Sequence, residues 1–294
     1  MKKSGFVANR SSDSITVFDI PSNTVTNNIP VGVRPFIPAI TPNGRFVYVT
    51  NNGSDTVSVI DVKQNMVVDT IPVGSGPFGV IISPNGKRAY VMNNTSNDIS
   101  VIDTKTNMVI ATISVGDGPI LGAVTPDGKF VYVPNSDSDD VSVVDVKTNM
   151  VITTISVGDQ PRQLVITSNG KFAYVTNQGS NTISVIRVEQ NTVVTTIPVG
   201  LQPRGIAITS NEKFAYAANS ASNTVSVIDI KQNMVIATIP VGIQPLGIVI
   251  TSNGKFVYTT NFVSNTVSVI DVKQNIVVDT IGVGANPIGI TIKG

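Results

Sequence analysis

The sequence predicts an all-β protein, and three observations lead to that class. Val, Ile and Thr, which favour extended chain, dominate short segments that Gly, Pro and Asn separate. No segment places its apolar residues at the 3.6-residue period of an amphipathic helix. One pattern also recurs along the whole chain at a constant spacing of 42 residues. We therefore expect strands throughout and almost no helix.

The 42-residue repeat is marked most clearly by the dipeptide Val-Gly. Its glycine occurs at Gly32, Gly74, Gly116, Gly158, Gly200, Gly242 and Gly284. A proline follows three residues after each of them, and no insertion or deletion breaks the spacing. Seven units of 42 residues therefore account for the full length of 294 residues.

One unit, residues 74–115, divides into four predicted strands. The first, PFGVIIS, ends near Asn85-Gly86, where glycine permits the positive φ of a tight turn. The second, RAYVMN, leads through a polar loop to the third, ISVID. After the turn TKTNM, the fourth strand, VIATISV, completes the unit. The short turns between them predict that neighbouring strands run antiparallel.

Four antiparallel strands in each of seven units predict a seven-bladed β-propeller. A single sheet of this size leaves its apolar faces uncovered, whereas radial packing lets each sheet cover the next. The chain begins in the phase of a second strand and ends in that of a first strand. We therefore expect the last blade to combine residues 285–294 with residues 4–31, which closes the ring. The whole chain, 1–294, is predicted to form a single domain.

The ends of the predicted second strands carry a family motif. YVTN occurs at 48–51 and 174–177, and other units have the variants YVMN, YVPN, YAAN and YTTN. In this motif and in the flanking pattern PxGIxIxxxGKFxYVTN, the whole chain resembles the YVTN-repeat β-propeller family. The resemblance implies the propeller fold and a relation to bacterial and archaeal surface or secreted proteins.

The composition excludes several kinds of chemistry. The chain has no His and no Cys, which rules out histidine triads, histidine or thiolate metal sites, and disulfides. Charged residues make up only 13% and the net charge is +1, so we expect no nucleic-acid partner. No apolar run reaches the roughly 18 residues of a membrane span, and no signal peptide is visible. We expect a cytoplasmic monomer, or a secreted or surface protein if a leader has been removed.

Residues that recur in every unit are interpreted as structural, because a catalytic residue needs to occur only once. A tyrosine recurs in the second strands, at Tyr48, Tyr90, Tyr132, Tyr174, Tyr216 and Tyr258. An asparagine ends each second strand, at Asn9, Asn51, Asn93, Asn135, Asn177, Asn219 and Asn261. We expect the tyrosines to pack in the core and the asparagines to bind main-chain groups.

Positions that differ from unit to unit are the candidates for ligand binding. In the corner VGxxPx, the two residues before the proline and the one after it vary. These corners join fourth to first strands, on the face where propellers commonly bind ligands at the mouth of the central channel. Their guanidinium, carboxylate and aromatic groups are those that a specific pocket requires. The predicted ligand-binding residues are Arg34, Phe36, Phe78, Asp117, Asp159, Arg162 and Arg204.

The segment VPNSDSDDV, residues 133–141, clusters carboxylates as calcium loops do. Most units have Asn or Asp at the position of Asp139, so the candidate metal ligands are Asp137 and Asp140. Counted from Asp137, the EF-hand positions for glycine and glutamate hold other residues, which excludes an EF-hand. A Ca²⁺ contact shared with Asp117 or Asp159 stays open, and no other cofactor is expected.

The expected function is that of a non-catalytic scaffold that binds a small molecule or a protein at the channel mouth. Nearly every residue recurs and no nucleophile–base pair is visible, so an enzyme is not favoured. The alternative is a histidine-independent enzyme at the same face, similar to lactonases or lyases and open to assistance by a metal ion. In it, Asp117 or Asp159 acts as the base and an arginine holds an anionic substrate. A second alternative is a structural cell-surface or adhesion module.

Overall fold

The structure is a computed structural model and describes residues 3–293. Across that range the chain forms strands β1 to β28 and no helix. Residues 3–293 accordingly contain no helix that could span a membrane. The strands assemble into seven four-stranded sheets, which we call blades 1 to 7.

Each blade is built from strands that follow one another in the chain, except blade 7, which combines both ends. Blade 1 contains β4 (Pro35–Ile40), β5 (Phe46–Asn51), β6 (Thr56–Asp61) and β7 (Met66–Pro72). Blade 2 contains β8 (Pro77–Ile82), β9 (Arg88–Asn93), β10 (Asp98–Asp103) and β11 (Met108–Ser114). Blade 3 contains β12 (Ala123–Val124), β13 (Phe130–Asn135), β14 (Asp140–Asp145) and β15 (Met150–Ser156). Blade 4 contains β16 (Pro161–Ile166), β17 (Phe172–Asn177), β18 (Thr182–Arg187) and β19 (Thr192–Pro198). Blade 5 contains β20 (Pro203–Ile208), β21 (Phe214–Asn219), β22 (Thr224–Asp229) and β23 (Met234–Pro240). Blade 6 contains β24 (Pro245–Ile250), β25 (Phe256–Asn261), β26 (Thr266–Asp271) and β27 (Ile276–Gly282). Blade 7 contains β28 (Pro287–Ile292), β1 (Ser4–Asn9), β2 (Ser14–Asp19) and β3 (Thr24–Pro30).

The antiparallel order of strands in all seven blades confirms the predicted propeller. Blade 7 has the order β28-β1-β2-β3, which confirms the predicted closure by the two ends of the chain. In its register Val7 lies opposite Ile290, and the N–H of Lys293 donates to the main-chain oxygen of Ser4 at 2.8 Å. Met1, Lys2 and Gly294, which the predicted domain also includes, lie outside the described residues.

The hydrophobic core lies between neighbouring blades. At the junction of blades 1 and 2, for example, Tyr48 and Val57 pack with Val91 and Ile102 in one buried cluster. All six tyrosines of the repeat are at most 1% exposed, as predicted. Burying one large apolar side chain stabilises a fold by roughly 1.5–3 kcal/mol. Because both sides of each junction must be present, an isolated blade would lack most of this stabilisation.

Five of the six tyrosine hydroxyls also connect neighbouring blades, a role that the repeat alone did not indicate. Tyr48 Oη donates to Asn107 Oδ1 at 2.6 Å, from the second strand of blade 1 to the third–fourth turn of blade 2. The equivalent pairs are Tyr132–Asn191, Tyr174–Asn233, Tyr216–Asn275 and Tyr258–Asn23. In blade 7 the second strand has Phe6 instead, so the matching Asn65 of blade 1 receives no tyrosine hydroxyl.

The threonine of YVTN has a structural role at the inner edge of the blade. Thr50 Oγ1 accepts the N–H of Ile37 in its own inner strand at 3.1 Å. It also donates to the main-chain oxygen of Phe78 in the next blade at 2.8 Å. Thr176 and Thr260 make the same pair of bonds. The hydroxyl thus holds an inner strand to its own blade and to the next one.

Blade 3 departs from the repeat because Pro134 takes the place of this threonine. Its inner strand, β12, covers only Ala123–Val124, whereas the repeat predicts a full-length first strand. Leu121 instead crosses to blade 4, where its N–H donates to the main-chain oxygen of Arg162 at 3.3 Å. Blades 2 and 5 also lack the threonine but keep six-residue inner strands. The missing N–H of proline therefore contributes to the difference, and so does Gly122, which stands where blade 2 has Val80.

Candidate functional site

One face of the propeller, here called the mouth face, is formed by the VGxxPx corners and the loops between second and third strands. The residue before each corner proline has positive φ, as at Arg34 (53°) and Gln160 (50°). Its N–H donates at 2.7–2.9 Å to an Asp or Asn side chain in the preceding blade. Asp13, Asp55 and Asp139 are among these acceptors. The recurrent loop carboxylates on this face thus hold the corners in shape.

The residue after each corner proline lies where the chain enters the inner edge of a blade, at the mouth of the central channel. Six of these residues line a cleft of about 50 Å³, which we call the channel-mouth cleft: Phe78, Ile120, Arg162, Arg204, Leu246 and Ile288. Ile37, Leu121 and Gln163 also line it. The same three residues line the wider channel below, of about 570 Å³, whose other walls are mostly Val, Ile and Ala. They therefore form the floor of the cleft.

Arg162 lies on one side of this cleft and is held in place by its own blade. Its Nε donates to Oε1 of Gln178, which is only 8% exposed. Burial lowers the pKa of the Arg162 guanidinium, and the nearby Asp137 charge partly opposes that shift. The guanidinium is therefore partly desolvated.

Arg204 lies next to Arg162 and has fewer protein partners. Its Nε is buried without a hydrogen-bond acceptor among residues 3–293. Burial, and after it the charge of Arg162, lowers the pKa of Arg204 to about 10. Two guanidiniums of like charge thus share one apolar cleft, and an unpaired buried donor is unfavourable unless a ligand supplies the acceptor. This arrangement is suited to an anion or to an oxygen that becomes negative during reaction.

A third guanidinium lies near the aromatic side of the mouth. Arg10 stands over the ring of Phe36, with 5.7 Å from its Cζ to the ring centroid. Phe36 in turn meets Phe78 edge-on at 4.8 Å between centroids. The Nε of Arg10 is likewise buried without an acceptor in the described chain. The mouth therefore has a cationic sector and an aromatic sector.

Sequence reasoning missed Arg10 and Gln178, although a signal was present. Both follow the invariant asparagine that ends a second strand, and that position differs in most blades. Its residues are Arg10, Asn52, Asn94, Ser136, Gln178, Ser220 and Phe262. Variation at this position, like variation in the corners, marks side chains on the mouth face.

The structure brings together only part of the predicted ligand-binding set. Phe78, Arg162 and Arg204 line the channel-mouth cleft, and Phe36 lies beside it in contact with Phe78. Three other predicted residues, Arg34, Asp117 and Asp159, lie at exposed positions of the corners and do not line the cleft. Asp117 accepts a 2.9 Å hydrogen bond from Asn97 Nδ2.

The two candidate metal ligands have different surroundings. Asp140 accepts from Nδ2 of buried Asn135 at 2.6 Å, as Asp98 does from Asn93 in blade 2. Asp137 lies over the corner at Gly118, where a Cβ atom would come within 2.7 Å of its Oδ2. In the chain from residue 3 to residue 293, no three carboxylates converge as metal ligands. Asp137, whose charge acts on Arg162, is therefore the carboxylate with an electrostatic link to the cleft.

Comparison with protein-family models matches residues 2–67 and 35–196 to the family described as lactonase, seven-bladed β-propeller. The two overlapping matches together span well over half of the chain. The chain belongs to this lactonase propeller family. A comparison with curated proteins found no match to this lactonase-family propeller.

Solved structures share the fold of this lactonase-family propeller over most of their length. Kuenenia stuttgartiensis hydrazine synthase is 28% identical with a TM-score of 0.85, and the match covers 91% of this chain and 92% of that one. A functionally unknown protein from Desulfotomaculum acetoxidans is 18% identical with a TM-score of 0.88, over 98% of both chains. A putative 6-phosphogluconolactonase from Bacteroides uniformis is 18% identical with a TM-score of 0.84, over the whole of both chains. At 18% identity these last two likenesses show the fold alone.

The expected non-catalytic function is wrong, because the matching family is one of lactonases. The same finding corrects the expectation that an enzyme is not favoured, and it supports the alternative of a histidine-independent enzyme. The error came from treating the absence of histidine as evidence against catalysis. Guanidiniums can stabilise developing negative charge without any histidine. The recurrence of most residues in every unit gives no information on whether the few residues that differ between units are catalytic.

Proposed function

We propose that this protein hydrolyses a lactone that carries an anionic group, at the channel-mouth cleft. The observation that carries the proposal is the pair of half-buried guanidiniums, Arg162 and Arg204, on one apolar cleft. Membership of the lactonase propeller family supports the reaction type. The residues favour an anionic substrate, since two half-buried cations, one of them with an unpaired Nε, attract a negatively charged partner.

The proposed reaction adds water to the lactone carbonyl and opens the ring. The water oxygen bonds to the carbonyl carbon, the water proton passes to a base, and the carbonyl oxygen becomes an oxyanion. When the oxyanion collapses, the ring C–O bond breaks and the departing alkoxide takes up a proton, which gives a hydroxy acid. Guanidinium N–H groups stabilise the oxyanion, and removing one such donor commonly lowers kcat by about 10²–10³.

Asp137 is the carboxylate that we assign to the base. It is exposed and therefore accessible to water, and its charge acts on Arg162. The bases considered from sequence, Asp117 and Asp159, lie at the corners away from the cleft lining. A general base contributes about 10²–10⁴ to a rate, so Asp137→Asn is expected to lower kcat by that order.

The test is lactone hydrolysis followed by proton release in a pH-stat. A suitable set is 6-phosphogluconolactone, which is anionic, neutral gluconolactone and γ-butyrolactone. We expect the anionic lactone to be hydrolysed with the highest kcat/KM. Arg162→Met and Arg204→Met should each lose most of that preference, whereas Lys105→Met, on the opposite face, should not. Absence of hydrolysis above the spontaneous rate for every lactone would refute the proposal.

We further propose that the repeat is of the YVTN type within this lactonase family. The support is the bonding of Thr50, Thr176 and Thr260, which gives the motif threonine a distinct function between blades. Replacing the threonines singly and measuring stability tests whether the motif is structural, as developed in the Discussion.

A further inference from the structure

The face opposite the mouth, here called the turn face, carries a groove at the junction that closes the ring. The groove lies between blade 7 and blade 1 and has a volume of about 600 Å³. Its polar lining consists of Ser4, Thr26, Asn43, Arg45, Lys63, Asn65 and Lys293. We call it the closure groove. It is lined from both ends of the chain and from the first complete blade.

The closure groove lies at the junction where Phe6 replaces the repeat tyrosine. At five of the other six junctions a tyrosine hydroxyl reaches across to the asparagine of the next third–fourth turn, and at the sixth Tyr90 still places its side chain there. At the closure groove that asparagine, Asn65, is exposed, whereas its six counterparts are half-buried. The corresponding groove beside Tyr258 measures about 190 Å³ and that beside Tyr132 about 360 Å³. Loss of one hydroxyl is thus accompanied by the largest of these three grooves.

The closure groove is cationic, as is the groove beside Tyr258, which Lys3 and Lys293 line, but it carries one more cation. Arg45, Lys63 and Lys293 line it and no carboxylate does, whereas the groove beside Tyr132 is lined by Asp127 and Glu189 and no cation. Arg45 approaches Asp61 at 3.9 Å, but in the described chain Lys63 and Lys293 form no ion pair. Lys293 lies across Gly44, where a Cβ atom would come 2.8 Å from its Cε. Two free ammonium groups and one guanidinium therefore border an open volume.

We propose that the closure groove binds a phosphate monoester. Lysine ammoniums act as point charges toward phosphate oxygens, and a guanidinium adds directed N–H donors. The Asn43 and Asn65 amides and the Ser4 hydroxyl can bind the remaining oxygens or the esterified group. A volume of about 600 Å³ falls in the range of small-ligand sites. Because the cations are largely exposed, binding should weaken as salt is added.

Ligand in this groove would connect the two sides of the ring closure. Lys293 follows β28, while Arg45 and Lys63 belong to blade 1. A ligand that holds all three stabilises the folded ring and has no matching site in the unfolded chain. Its binding should therefore raise the melting temperature, by about 2–4 °C when its concentration is several times Kd.

The test combines thermal melting and calorimetry with glucose 6-phosphate, inorganic phosphate and glucose as probes. We expect glucose 6-phosphate to raise the melting temperature and glucose to have no effect. If inorganic phosphate raises the melting temperature as much as glucose 6-phosphate does, the groove recognises the phosphate group alone. If inorganic phosphate gives a smaller rise, the groove also contacts the esterified group. No rise with either phosphate overturns the proposal.

Variants separate this site from the channel-mouth cleft, which also attracts anions. Lys63→Gln and Lys293→Gln should abolish the rise, whereas Lys105→Gln, at the same repeat position in blade 2, should leave it unchanged. Phe6→Tyr, which places a hydroxyl toward Asn65, should also abolish it while leaving the fold intact. The Arg204→Met variant should keep the full rise. If Arg204→Met loses the rise and Lys63→Gln keeps it, the phosphate binds at the mouth and the proposal is wrong.

Discussion

Thr176 Oγ1 donates a hydrogen bond of 2.6 Å to the main-chain oxygen of Arg204 in the next blade. The same hydroxyl oxygen accepts the N–H of Gln163 at 3.1 Å. One side chain thus positions two inner strands that line the channel-mouth cleft, one with Gln163 on its floor and one with Arg204 on its side. A recurrent motif residue and a variable site residue are therefore directly coupled.

Thr176→Val is expected to lower both stability and activity. Valine keeps the shape of threonine but leaves the Arg204 oxygen and the Gln163 N–H without this partner, at a cost of about 1–3 kcal/mol. Thr50→Val removes the same bonds beside Phe78 and serves as the control. Both variants should melt a few degrees lower, while only Thr176→Val should raise KM for the anionic lactone. Equal KM changes in both would contradict a specific link to Arg204.

The lowered pKa of Arg204 predicts a pH limit for anion binding. With a pKa of about 10, the guanidinium stays charged through neutral pH and loses its charge as the pH rises through 10. Affinity for 6-phosphogluconate, whose phosphate is already dianionic above pH 8, should be constant to about pH 9 and then fall. Calorimetric titration between pH 8 and 11 measures it. The Arg204→Met variant should bind 6-phosphogluconate weakly at every pH and show no fall in affinity above pH 9. If the wild-type affinity at pH 11 equals that at pH 8, Arg204 is not the group that binds the anion.

The fold could be predicted almost completely because its determinants recur in every blade. A Cβ atom on Gly74 would lie 2.5 Å from Nδ2 of buried Asn93, so glycine and asparagine must occur together. The amide of Asn93 donates to Ser100 Oγ at 2.9 Å, which fixes the loop between the second and third strands. Such pairs leave a regular trace at 42-residue spacing. A contact that every blade requires leaves a recurrent pair of residues, which can be recognised in a single sequence.

The candidate site could be predicted only in part, because its residues occur once and their direction depends on backbone geometry. Positive φ at Arg34 turns that corner residue away from the channel, whereas Arg162, after its proline, begins an inner strand. In the sequence, Arg34 and Arg162 are equivalent, because each occupies a variable position of a corner. The crossing of Leu121 to blade 4 depends on the missing N–H of Pro134, a tertiary effect that a strand pattern does not contain.

Pro134→Thr is expected to restore the regular inner strand of blade 3. The new hydroxyl can bind the Arg162 oxygen, as Thr176 binds that of Arg204, and the new N–H removes one cause of the irregular strand. Leu121 would then return from blade 4 and change the floor of the cleft. We expect a gain of about 1 kcal/mol in stability and a changed KM for the lactone. Ala218→Thr, at the same repeat position in regular blade 5, should stabilise without altering KM.

The buried tyrosines predict loss of stability at high pH. Burial, as the main cause, raises the pKa of Tyr48, Tyr132, Tyr174, Tyr216 and Tyr258 to about 12. In the unfolded chain they ionise near pH 10. Because the folded pKa is the higher one, their contribution is complete below pH 10 and is lost as pH rises toward 12.

The urea midpoint, measured from pH 8 to 12, should therefore fall steeply above pH 10. Tyrosine absorbance at about 295 nm should rise together with unfolding, since buried hydroxyls ionise only when exposed. Tyr48→Phe should be less stable at pH 8, because it loses the bond to Asn107, and should show a shallower decline above pH 10. A midpoint independent of pH between 10 and 12 would contradict this account.

Removal of residues 285–294 tests the closure of the ring. The deletion removes β28, whose Ile290 pairs with Val7 and whose Ile292 pairs with Gly5. It leaves β1 as an unpaired edge and uncovers the cores at both junctions of blade 7. We expect the intact chain to melt in one cooperative transition, as a single domain does, and the truncated chain to melt at lower temperature and to associate through the open edge. A synthetic peptide of residues 285–294 should restore the transition, since the missing strand contributes pairing and apolar cover rather than a covalent link. A truncated chain that melts as the intact chain does would show that β28 is not what holds blade 7 in the ring.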